Sequence, residues 1–253
     1  MPFTLSHPAA VLPLLPLRLV PSALVIGSMM PDLPYYTPGI PISSVDTHAA
    51  SGIITLDLVL GVLVFAVWHV LLTPALTAFA PAALRDRLAP DLPVPARHHV
   101  RNPLAVVVVV VSLIIGAATH VVWDSFTHAD RWGTDRIGWL REEHGPFAGH
   151  TWAQYTSGVV GLVLIAVVVG RWWLRTPPHA GRQRVPALDR RTTIRAAAVV
   201  LAAGAVGAVA GLLTADDGLF ALGFRTLTWG CGAAGACLLA LAAVHAARGR
   251  QRA

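Results

Sequence analysis

Five long apolar stretches alternate with polar or proline-rich connections along the chain. They cover about 52–73, 103–122, 156–174, 194–214 and 226–247, each close to the roughly 20 residues a helix needs to cross a hydrocarbon core of about 30 Å. The second contains AVVVVVVSLIIGAA, a β-branched run that would suggest a strand in water. Its length and lack of charge make it a helix in a membrane, where every backbone polar group must be satisfied within the segment. Residues 1–31 are also apolar, but Pro8, Pro13, Pro16 and Pro21 interrupt them and Arg18 sits in their middle. Proline removes a backbone donor and disrupts a continuous helix. The pattern predicts two short helices, 7–14 and 21–30, forming a re-entrant or interfacial hairpin packed on the other helices; a single kinked span is the alternative. The predicted fold class is all-α, a polytopic membrane helical bundle of about five transmembrane helices plus this N-terminal hairpin.

Composition agrees. Hydrophobic residues make up 55% of the chain and charged residues only 13%, against roughly 25% charge in soluble domains. A soluble fold could not cover its surface with so few charges. The net charge is +6 and all 19 basic residues are arginine. They form no single stripe, so nucleic acid is not expected as a partner. They sit instead in connections, where they act as topology signals. The connections 74–102 and 171–195 and the C-terminal tail hold most of them and belong on the cytoplasmic side. Residues 31–51, 123–155 and 215–225 fall on the opposite side, and Arg131, Arg136 and Arg141 of the long connection are offset by acids. The reading is a multi-pass inner-membrane protein with its C-terminus in the cytoplasm. Residues 1–175 form one expected domain, the hairpin plus three spans; residues 176–253 form another, a basic linker followed by two spans whose Ala and Gly content permits close helix packing. Cys231 and Cys237 lie inside an apolar run and say nothing about redox compartment. The N-terminus lacks a basic region ahead of an apolar stretch, so it does not read as a cleaved signal peptide.

The chemistry-bearing residues concentrate in the first half. In HVVWDSFTH, His120, Asp124 and His128 lie at i, i+4 and i+8. If the helix continues past its membrane exit, all three project from one face, and histidine with carboxylate at that spacing can chelate a divalent metal. An interfacial helix end anchored by Trp123 would account for one such residue, but three in register on an apolar helix argue for function. His7 precedes Pro8 at a helix start. Asp32 ends an apolar helix between Pro31 and Pro34. A straight helix would hold His7 and Asp32 roughly 36 Å apart, whereas a hairpin brings them together. His48 precedes the first span; its neighbour Asp46 reads as a helix cap.

His7, Asp32, His48, His120, Asp124 and His128 therefore converge on the extracytoplasmic face, a face chosen by the arginines alone. Six such groups suit a two-metal site. His150 and Gln154, one turn apart at the start of the third span, are further candidates. Asp57 either faces the site or turns outward. His144 reads as a solvated loop residue and His69 as structural; His98, His99, His179 and His245 are expected to face cytoplasmic solvent. No phosphate-binding glycine loop, nucleophile elbow or His-Glu-x-x-His motif is present.

MPFTLSHPAA, ALVIGSMMPDLPYY, DTHAASG, THVVWDSFTH and WAQYTSGVVG, in that order, resemble an uncharacterised bacterial membrane family carried as a domain of unknown function. The resemblance covers roughly residues 1–175. More distantly the pattern is similar to inner-membrane metal-dependent hydrolases and to the zinc-dependent phospholipase C and single-strand nuclease superfamily. That similarity implies a zinc cluster held by His7, Asp32, His48, His120, Asp124 and His128, with a final His-x-x-x-carboxylate pair falling on His150 and Gln154. Glutamine departs from that pattern, and Met1-Pro2 offers no equivalent of the amino-terminal ligand used by the soluble enzymes. The resulting expectation is a membrane-embedded hydrolase using a divalent metal, zinc by its donor set. It would act on a phosphoester or lipid head group, with Asp124 and Asp32 as catalytic carboxylates and phospholipid as substrate. A non-catalytic metal-binding membrane protein is the alternative, and a transporter a second one. The sequence sets no oligomeric state.

Overall fold

The computed structural model describes residues 4–88, 92–178, 187–216 and 218–250. The expectations for Met1-Pro2 and His179 fall outside the described residues. Among the described residues, five helices are long and apolar enough to cross a membrane: Gly52–Phe79, Pro103–Thr127, Gly149–Arg175, Arg190–Leu213 and Leu219–Arg248. The fold is thus the expected all-α class, and the helices outrun the apolar stretches because their polar first and last turns stay helical. Asn102 explains one such end: its side chain accepts from the Ala105 amide at 2.8 Å ahead of Pro103, which needs no hydrogen bond at the first helical position. Much apolar surface remains uncovered, with Leu104 71% and Leu201 73% exposed, as lipid-facing helices require. The first span carries a π-helical turn over Trp68–Leu72 just before Pro74. Proline has no N–H for the preceding turn, and Thr73 Oγ1 donates to the Trp68 carbonyl there at 2.8 Å.

The described residues form two compact units. The first comprises Met1–Asp32, Ile42–Phe65 and His99–Arg175. Here the apolar N-terminal stretch is split as the prolines predicted: a 3-10 helix over Thr4–Leu14, then an α-helix over Pro21–Gly27 and a 3-10 turn over Met30–Asp32. The Pro21–Gly27 helix lies directly on the second span. A Cβ at Gly27 would lie 2.2 Å from the Leu113 carbonyl oxygen, and one at Gly116 2.3 Å from that of Leu24. Only glycine allows backbones this close. The Thr4–Leu14 segment packs on the third span, where a Cβ at Gly161 would meet Ser6 at 3.0 Å. After the second span the chain makes two short helices and a two-stranded hairpin, Glu143–His144 against Phe147–Ala148, before entering the third.

The second unit comprises Leu33–Pro41, Ala66–His98 and Thr176–Ala253. Its last two spans pack closely through small residues: a Cβ at Gly207 would lie 2.5 Å from the Trp229 carbonyl oxygen and one at Gly211 2.3 Å from that of Arg225. Asp189 caps the fourth span through Thr192.

Candidate metal centre

The first unit gathers histidines and carboxylates from four separate segments. His7 comes from the 3-10 helix, Asp32 from the turn after the hairpin, His48 from the end of the short helix Ser44–Thr47, and His120 and Asp124 from the second span. All five are buried. One ligand atom from each of Asp32, His48, His120 and Asp124 lies within 4.8 Å of the others. His48 Nε2 is 3.4 Å from Asp32 Oδ1 and 3.3 Å from Asp124 Oδ2. His120 Nε2 is 3.6 Å and 3.4 Å from the same two oxygens. Four ligands at the usual zinc distances in a tetrahedron stand about 3.3 Å apart, so these separations suit a single enclosed cation.

Protonation strengthens the case. His48 Nδ1 is 2.8 Å from the Ser44 carbonyl oxygen, and His120 Nδ1 is 2.7 Å from that of Ser28. A carbonyl only accepts, so each Nδ1 carries the hydrogen and each ring, when neutral, turns the lone pair of its Nε2 to the carboxylates. Metal-ligating histidines are oriented in this way. The outer Asp32 oxygen, Oδ2, accepts from Thr4 Oγ1. The inward atoms Asp32 Oδ1 and His120 Nε2 have no hydrogen-bond partner. Electron-rich atoms packed this closely, with their outer sides satisfied and inner sides bare, need a cation between them. A proton is the smallest that serves. Burial lowers the His48 imidazole, but the Asp124 and Asp32 carboxylates outweigh it and push the group up to about 9. Burial alone would raise the Asp32 carboxyl, and His120 and His48 outweigh that to hold it well below the usual carboxylate range. A divalent ion supplies the same compensation more fully.

His7 stands beside this group. Its ring stacks on His120 with centroids 3.6 Å apart, and Nε2 lies 3.6 Å from Asp124 Oδ1, the oxygen turned away from His48 and His120. Neither ring nitrogen has a hydrogen-bond partner. Burial, and then His120, push its imidazole down to about 3, so it stays neutral and able to ligate.

His128 does not continue the helical face. The second span ends at Thr127 and His128 takes extended angles, φ −130° and ψ 147°. Its Nδ1 turns back to lie 3.3 Å from the Asp124 carbonyl oxygen and 3.6 Å from Asp124 Oδ1. The Gln154 amide nitrogen lies 3.1 Å from His128 Nε2 and donates to it, since an amide NH2 cannot accept. His128 therefore presents a hydrogen, not a lone pair, to Asp124. Gln154 sets this tautomer, a role the sequence does not announce. His150 Nδ1 lies 3.0 Å from the Leu140 carbonyl oxygen.

Other expectations need correction. Asp46 does not cap the first span, which begins at Gly52; it lies exposed within the short Ser44–Thr47 helix, whose cap is Ser43, accepting from the Val45 amide. His144 stacks on Trp139 at 4.6 Å rather than standing free in solvent. His99 and His245 are half-buried against Phe65 and Phe79, whereas His98 is exposed as expected. Trp123 is more than an interfacial anchor: its ring lies 5.3 Å from that of His7 and its Nε1 donates to Ser157 Oγ at 3.0 Å. Asp57 is 1% exposed, with neither carboxylate oxygen hydrogen-bonded, and its charge reaches His48 and His120.

Fold and site together define a polytopic membrane-type protein with a buried Asp/His cluster able to hold a divalent metal. The chain belongs to the family described as a domain of unknown function, DUF4184, whose model matches residues 1–244. No curated protein matches the chain. No solved structure matches it.

Proposed function

We propose that this protein is a metal-dependent hydrolase of the bacterial inner membrane, acting on phosphoesters of lipid head groups at the extracytoplasmic face, with its C-terminus in the cytoplasm. The observation that carries the reading is the set of bare inward-facing atoms, Asp32 Oδ1 and His120 Nε2, beside His48 Nε2 and Asp124 Oδ2. These four residues would hold one ion, zinc by the donor set. Asp124 Oδ1 and His7 Nε2 would hold a second, with positions left open for water and substrate. Such ions supply Lewis acidity and a water of lowered pKa.

The protein's own groups do the rest. Water adds to phosphorus, the bond from phosphorus to the alcohol oxygen breaks, and the alcohol leaves with a proton. Asp124 and Asp32 would fix the spacing of the ions on either side of the reacting centre, and the water's proton passes to the departing alkoxide. His128, held by Gln154, steadies Asp124. The cluster lies near the ends of spans, His48 just before Gly52 and His128 just after Thr127. That depth favours an interfacial site over the conduit a transporter needs.

The second reading, a non-catalytic metal centre, draws on one observation. Four buried residues would supply as many ligands as a structural zinc site takes. Metal analysis of the purified protein, with hydrolysis assays on phosphatidylcholine vesicles and a chromogenic phosphodiester, separates the two. The hydrolase reading expects metal and turnover, both lost in Asp124→Asn. Metal without turnover leaves the structural reading. No metal in the wild-type protein refutes both.

A further inference from the structure

We propose that the second unit carries a binding groove for an anionic phospholipid, independent of the metal centre. The groove has a volume of about 900 Å³ and lies where three span ends meet. Phe79 ends the first span, Arg195 lies in the opening turns of the fourth, and Arg248 ends the fifth. The Leu188 amide donates to the Ala78 carbonyl at 3.1 Å and fastens the start of the fourth span beside the end of the first.

The lining divides by chemistry. Phe79, Val199, Leu241 and Val244 form apolar walls, and Arg195 and Arg248 form a cationic rim. Among the described residues neither guanidinium is in an ion pair, whereas Arg225 pairs with Asp216. The one carboxylate in the lining, Asp189, is already engaged: Oδ1 accepts from the Thr192 amide at 2.9 Å and Oδ2 from Thr192 Oγ1 at 2.6 Å. The rim therefore keeps net positive charge. His245, with its ring 5.8 Å from Phe79, adds a polar edge between wall and rim.

Charge complementarity and depth select the occupant. Arginine binds phosphate oxygens in a planar fork. Span ends lie at head-group level, and basic pockets between transmembrane helices take anionic head groups. A free phosphate would satisfy the arginines and leave the apolar walls bare, whereas a zwitterionic lipid would cover the walls and gain less from the rim. An anionic phospholipid does both.

The test uses the full-length protein, delipidated and exposed to equimolar phosphatidylglycerol and phosphatidylcholine, with retained lipid read by native mass spectrometry. The wild type should hold phosphatidylglycerol in roughly tenfold or greater excess. Arg195→Gln with Arg248→Gln should lose the excess, Arg195→Lys with Arg248→Lys should keep most of it, and Arg171→Gln with Arg175→Gln should keep all of it. Circular dichroism checks that each variant remains helical. If the double glutamine variant does not fold, Ala196→Phe decides: it fills the groove and should reduce retention of phosphatidylglycerol. No excess in the wild type, an excess surviving in the glutamine variant or in Ala196→Phe, or displacement of the lipid by millimolar inorganic phosphate would each overturn the proposal.

Discussion

Replacing Gly116 by alanine tests how the hairpin helix holds the metal centre. The new methyl group would lie 2.3 Å from the Leu24 carbonyl oxygen and 2.8 Å from the Ser28 amide nitrogen. Ordinary contacts are about 3.5 Å, so the Pro21–Gly27 helix must retreat by about 1 Å. Ser28 moves with it, and its carbonyl is the 2.7 Å acceptor that orients His120. At about 3.7 Å that hydrogen bond is gone. Overpacking of this kind costs about 1–3 kcal/mol of stability, and losing a bond that orients a ligand costs about 10–100-fold in metal affinity. The assay is a chelator-competition titration of purified protein, with helicity monitored in parallel. Gly170→Ala is the control, since nothing lies within 4 Å of a Cβ there. If Gly116→Ala binds metal as tightly as wild type while remaining folded, the argument that the glycine contact positions His120 is wrong.

Other consequences follow from the same geometry. Gln154→Glu would replace the donor to His128 Nε2 by an acceptor, so Nε2 takes the hydrogen and Nδ1 faces Asp124 bare. A second proton relieves that arrangement, leaving an imidazolium between two carboxylates, so the His128 pKa read by NMR titration should rise in the variant; an unchanged value refutes it. Metal loading must also expel the proton that His48 holds up to a pH of about 9. Below that pH binding therefore releases protons and apparent affinity climbs as pH rises, levelling near 9. Calorimetry at pH 7 in buffers of different ionisation enthalpy should show about one proton released per metal from this group; a buffer-independent heat counts against it.

Much of this was legible because membrane helices announce themselves by length and hydropathy, and all five apolar stretches became spans. The prolines between residues 8 and 21 gave away the hairpin, and with it the approach of His7 to Asp32. The spacing of His120 and Asp124 placed both on one helix face. His128 shows where periodicity stops informing: the same spacing continues in the sequence, but the helix ends one residue earlier. The orienting groups were hidden for another reason. Ser28 and Ser44 act through carbonyl oxygens, which any residue could supply, so no side-chain pattern marks them. Gln154 reads as a failed ligand until its amide is seen to donate to His128.

Anomalous X-ray diffraction from crystals of the protein purified with its native metal decides whether the four residues of the metal centre hold an ion. A peak is expected within about 2.0–2.2 Å of Asp32 Oδ1, His48 Nε2, His120 Nε2 and Asp124 Oδ2. Well-ordered density for these four side chains with no anomalous peak among them would contradict that expectation.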